Sequence, residues 1–165
     1  MKVTGSRKNE TEVDWQIDRS PHGVYESYNR FMSHQFPAAV PGVEDDSPAL
    51  ARPFEVDMVR LAPGKKNCPR HTHSVQWEYY IVLSGQGHML QEEGSEPLAM
   101  RPGDHLMQPP RSIHTVENDG EDDLCYYVIA DNPSDQTCFY PDSGKWSAAG
   151  HVFRMVDADY FDGEE

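Results

Sequence analysis

The chain has 165 residues, a length that suits one domain with its own core. Its 28 acidic residues against 14 basic ones give a net charge of −14, which disfavours both a nucleic-acid backbone and an anionic membrane as partners. No run approaches the ~18 apolar residues needed to span a bilayer. Residues 1–53 are read as an N-terminal extension. The opening MKVTGSRKNETEVDW has no apolar stretch, and Cys68, Cys125 and Cys138 contain no CxxC pair, so the expectation is a cytoplasmic protein with reduced thiols. Alternation in Val13-Asp14-Trp15-Gln16-Ile17 predicts a short strand. Ser20-Pro21 resembles a helix start, and Val24, Tyr28, Phe31 and Met32 then fall at helical spacing, up to Pro37. Residues 37–53 carry four prolines and the acidic run Glu44-Asp45-Asp46, and are predicted to form a loop.

From Phe54 the texture changes to short β-forming runs between turn signals. The predicted strands are 54–62, 76–83, 87–91, 97–101, 105–107, 114–117 and 124–130. Pro63-Gly64, Gly85-Gln86-Gly87, Glu93-Gly94, Pro102-Gly103-Asp104, Pro109-Pro110 and Asn118-Asp119-Gly120 punctuate them. Such spacing predicts an all-β fold, a small antiparallel barrel or sandwich over residues 54–131. Residues 132–165 are read as a turn-rich, then acidic tail that packs on the barrel, with Trp146 as its anchor.

His71-Thr72-His73 places two imidazoles on one face of an extended chain. Glu78, five residues on, has the wrong parity unless the chain bends at Ser74-Val75-Gln76 and Glu78 opens a new strand, with Tyr80 and Val82 on its inward face. His114 lies on a later β run. Three imidazoles and a carboxylate suit a divalent transition metal, and the donor set alone does not choose among Fe, Mn, Ni, Co, Cu and Zn.

Gly64, His71-Thr72-His73, Glu78 and Gly85 resemble the first motif of the cupin superfamily. Pro102-Gly103-Asp104, Pro109, His114 and Asn118 resemble the second. The resemblance implies a double-stranded β-helix or jelly-roll barrel, with one divalent metal per chain on His71, His73, Glu78 and His114. It leaves the reaction open, because one fold hosts many chemistries.

Around this set, Tyr80 is the candidate catalytic acid or base, with a core aromatic as its alternative. Arg60, Met107 and Tyr127 are candidates for substrate binding. On the last strand, Tyr127 and Cys125 share one face and Tyr126 has the other. His88 is expected to be exposed, Cys68 to be a free thiol, and His22, His34 and His151 are given no role. The functional expectation is a metal-dependent enzyme acting on a small molecule, most simply a non-haem dioxygenase. One alternative is a non-redox lyase, isomerase or cyclase using Tyr80 or metal-bound hydroxide. Another is a non-catalytic binding protein. A homodimer is expected, because open sheet edges need cover.

Overall fold

The computed structural model describes residues 6–36 and 53–164, so residues 37–52 of the predicted loop lie outside the described residues. The architecture is all-β and antiparallel. The strands are β1 (Gln16–Arg19), β2 (Glu26–Phe31), β3 (Phe54–Leu61), β4 (Thr72–His73), β5 (Glu78–Ser84), β6 (Gly87–Leu90), β7 (Leu98–Met100), β8 (His105–Gln108), β9 (Thr115–Glu117), β10 (Leu124–Asp131), β11 (Thr137–Tyr140), β12 (Lys145–Ala148) and β13 (His151–Phe153). One wall is a six-stranded sheet in the order β1-β2-β3-β10-β5-β8. The other wall is made of two smaller sheets, β13-β12-β11-β4 and β7-β6-β9. A pair of backbone hydrogen bonds between His71 and His114 joins them, 3.1 Å one way and 2.9 Å the other.

Period-two alternation builds the core between the walls. Val59 and Leu61 of β3, Tyr80 and Val82 of β5, Leu106 of β8, and Leu124 and Tyr126 of β10 are buried together with Met89, Met100 and Val116. Each such side chain contributes about 1.5–3 kcal/mol by leaving water. The chain crosses from β5 in one wall to β6 in the other through Gly85 at φ 75°, where an added Cβ would lie 2.3 Å from the Asp123 carbonyl oxygen. Only glycine fits there.

The seven predicted strands from Phe54 to Ala130 all form, with ends shifted by one or two residues. The helix predicted over Val24–Met32 does not. That stretch contains β2, hydrogen-bonded between β1 and β3, with Tyr28 opposite Arg60. The Ser20 hydroxyl does accept from a backbone N–H, that of Tyr25 at 3.1 Å, but it closes the β1–β2 turn rather than capping a helix. Gly23 completes that turn at φ 67°. The first predicted strand sits slightly later than expected, at Gln16–Arg19. The tail is more regular than its turn-rich sequence suggests. β11, β12 and β13 form a meander, and β11 pairs with β4 beside the histidines. Within it the Trp146 ring packs on Phe139, with centroids 4.8 Å apart.

Candidate metal centre

The bend inferred after His73 is present. β4 ends at His73, residues 74–77 turn, and Glu78 opens β5. One ligand atom from each of His71, His73, Glu78 and His114 then lies within 4.8 Å of all the others. His71 and His114 face each other across the seam between the two smaller sheets. Both are buried, while His73 and Glu78 are partly so.

The hydrogen bonds fix which nitrogen of two rings faces the centre. Nδ1 of His71 donates to the Pro69 carbonyl at 3.0 Å, and Nδ1 of His114 donates to the Ser112 carbonyl at 3.2 Å. A carbonyl only accepts, so in the neutral rings each Nε2 presents a lone pair inward. His114 Nε2 is buried without a hydrogen bond, yet stands 2.6 Å from Glu78 Oε2. A cation shared by nitrogen and carboxylate resolves that crowding, and the donor set suits a divalent transition metal. Burial, then the neighbouring His114 and His73 rings, lower the His71 pKa to about 4, so it stays neutral as a ligand must. Burial alone would raise Glu78; where the adjacent His114 and His73 rings carry a proton toward it, their hydrogen bonds and charge outweigh burial and hold the carboxyl well below its usual range.

Tyr80 does point inward. Its hydroxyl donates to Glu78 Oε2 at 2.9 Å, and its ring is in the core, 2% exposed. Burial, then the Glu78 charge, push this phenol well above its usual range, so it remains an O–H donor. Cys68 Sγ is 3.5 Å from His71 Nδ1, and burial raises its pKa, so it is a thiol and not a thiolate.

A cavity of about 480 Å³ opens on the histidines. Of the four clustered residues, His71 and His73 line it, together with Gln76, Gln136, Cys138, Tyr140 and Asp18. The tail residues here were missed by sequence reasoning, since nothing local marks a strand pair that is made only in three dimensions. The residues predicted to bind substrate are not among those lining this cavity. Arg60 stacks on Trp15 and Tyr28 and pairs with Asp123. Tyr127 donates to Glu10 on the same outer face of the six-stranded sheet, so Tyr126 is the inward residue of β10. Met107 is half exposed on edge strand β8. His88 pairs with Asp119 at 2.8 Å.

Residues 57–130 match the family described as Cupin domain. The jelly-roll walls agree with it, and residues 57–130 are therefore assigned as a cupin domain. Similar solved structures include a sugar phosphate isomerase of the cupin superfamily from Silicibacter pomeroyi, 20% identical, with 90% of this chain and 92% of that chain covered and a TM-score of 0.68. A polyketide cyclase from Streptomyces resistomycificus is 20% identical over 79% of this chain and 81% of its own, at a TM-score of 0.60. A protein described as a predicted oxalate decarboxylase from Thermotoga maritima is 17% identical over 76% and 97%, at 0.58. These likenesses establish the shared fold. No curated protein matches the chain in sequence.

Proposed function

We propose that the protein is a metal-dependent enzyme that transforms a small organic molecule, with one divalent transition metal per chain on His71, His73, Glu78 and His114. The observation that carries this is four convergent ligand atoms beside an open cavity of about 480 Å³. When bound, such a metal supplies a Lewis-acid centre with open coordination positions. The chain's own residues orient what enters. Gln76, Gln136, Tyr140 and Ser147 offer hydrogen bonds along the wall, and Asp18 adds a negative charge. Among the described residues that line the cavity there is no lysine or arginine, which favours a neutral or cationic substrate. Tyr80 is assigned a role through Glu78, whose oxygen it holds.

Dioxygenation is the reaction proposed first, because an N₃O donor set leaves room for O₂ beside a chelating substrate. The second reading is a non-redox isomerase, lyase or cyclase. The Tyr140 phenol on the cavity wall, its ring 6.1 Å from that of His71, favours it by offering a proton donor to the substrate. Metal analysis under anaerobic conditions, followed by an oxygen-uptake screen over small substrates, separates them. Iron with substrate-dependent O₂ uptake supports dioxygenation. Turnover that persists without O₂ overturns it in favour of the second reading. A cytoplasmic location belongs to the same proposal.

A further inference from the structure

Gln136 lies six residues beyond the segment that matches the cupin domain, yet it reaches the ligand-bearing turn. Its Oε1 accepts from the backbone N–H of Gln76 at 3.2 Å and of Val75 at 3.4 Å, and from the Ser74 hydroxyl at 3.4 Å. These donors fix the oxygen on the turn, so the amide nitrogen faces His73 Nδ1. Ser74 ties the same strand on its other side. Its N–H donates to the Thr137 carbonyl at 2.9 Å, and its hydroxyl accepts from the Thr137 N–H at 2.9 Å.

We infer that Gln136 is a positioning residue that sets the orientation and proton placement of the His73 ring, and through them the metal affinity of the site. This rests on the metal reading above. An amide nitrogen only donates, so His73 Nδ1 accepts and the neutral ring carries its proton on Nε2. That proton is directed at His71 Nε2, 3.0 Å away, which has a lone pair to receive it. The metal-free site is thus a hydrogen-bonded chain: Gln136 to His73, His73 to His71, His71 to Pro69. A metal on His73 Nε2 needs the ring proton on Nδ1, with an acceptor opposite. Gln136 supplies that acceptor by rotating its amide, at the loss of the bonds to Val75 and Gln76. A glutamate here would accept from the turn with one oxygen and from His73 with the other, with no rotation.

The test is metal affinity, measured by chelator competition with Co(II) or Zn(II) on the full chain, alongside histidine ¹⁵N spectra of the metal-free protein. Gln136→Ala should bind the metal about tenfold or more weakly, in the range typical when an outer hydrogen bond to a ligand is lost. Gln136→Glu should bind at least as tightly as wild type, and its His73 proton should move from Nε2 to Nδ1. Ser74→Ala loosens the turn without touching the ring, and should lower thermal stability while leaving the His73 proton on Nε2. Affinity in Gln136→Ala equal to or tighter than that of wild type overturns the inference, as does a Gln136→Glu variant as weak as the alanine one. Should Gln136→Ala not fold, the spectra of wild type and Gln136→Glu decide, and an unchanged His73 tautomer overturns it. A wild-type chain that binds neither metal sinks the metal reading itself, and is told apart by the spectra.

Discussion

Each ligand has a distinct mechanical support. His71 and His114 are held by carbonyls of their own loops, His73 by the tail, and Glu78 by Tyr80. Removing one imidazole, as in His73→Ala, should abolish most metal retention, measured as metal per chain after desalting. Wild-type metal content in that variant would refute the assignment. Tyr80→Phe is subtler. The ring keeps its place in the core, but Glu78 loses a hydrogen-bond donor, and a bond to a charged group is worth about 1.5–3 kcal/mol. The variant should fold, and bind metal less tightly by up to roughly 100-fold. Affinity and turnover equal to wild type would reduce Tyr80 to a core aromatic. The four candidate ligands could be picked out of the sequence because motif order and spacing mark them, and the structure brings them together. The direction of Tyr80 was legible from strand alternation alone. Gln136 was not, since no rule of spacing links it to His73 across 63 residues.

Among the elements, strands β3 and β5 to β10 could be read because glycine and proline turns bracket short apolar runs. β2 could not. Its residues satisfy a helical stripe as well as an alternating one, and pairing with β1 and β3 decides the outcome. The wrong period also hid the outer face of the six-stranded sheet, where Trp15 packs between Arg30 and Arg60 and takes up the arginine that had been a substrate candidate. β3 carries a testable feature of its own. Burial, then the Glu55 charge, push Asp57 up to about 7, and its Oδ1 is buried without a partner. The folded pKa lies above the unfolded one. This contribution to stability is therefore full below pH ~4 and is lost as pH rises through about 7. Asp57→Asn in the metal-free protein should flatten that slope, and raise stability at pH 8 by roughly 2–4 kcal/mol. Urea unfolding between pH 4 and 8 measures it, and an unchanged slope in the variant rules it out.

At the scale of the whole molecule, the sheets formed by the described residues end in edge strands, β1 and β13 among them. Apolar side chains are exposed near both: Ile17 and Val24 at the first, Val152, Phe153 and Met155 at the second. Edges of this kind invite a second copy. The expected outcome is a homodimer, with twice the 18.8 kDa chain mass by light scattering at micromolar concentration; a mass near that of one chain would refute it. Among the described residues, no helix is long and apolar enough to cross a membrane.

The seam between the two smaller sheets has a consequence for how this barrel comes apart. The wall is stitched there by two backbone hydrogen bonds of His71 and His114, whose side chains are also candidate ligands. A bound cation would then act as a rivet across that joint, because whatever binds only the closed form stabilises it. Chelation should speed amide hydrogen exchange at His71 and His114 first, while the amides of β3, β5 and β10 stay protected. In this barrel, losing the cofactor and unzipping one wall would be a single event.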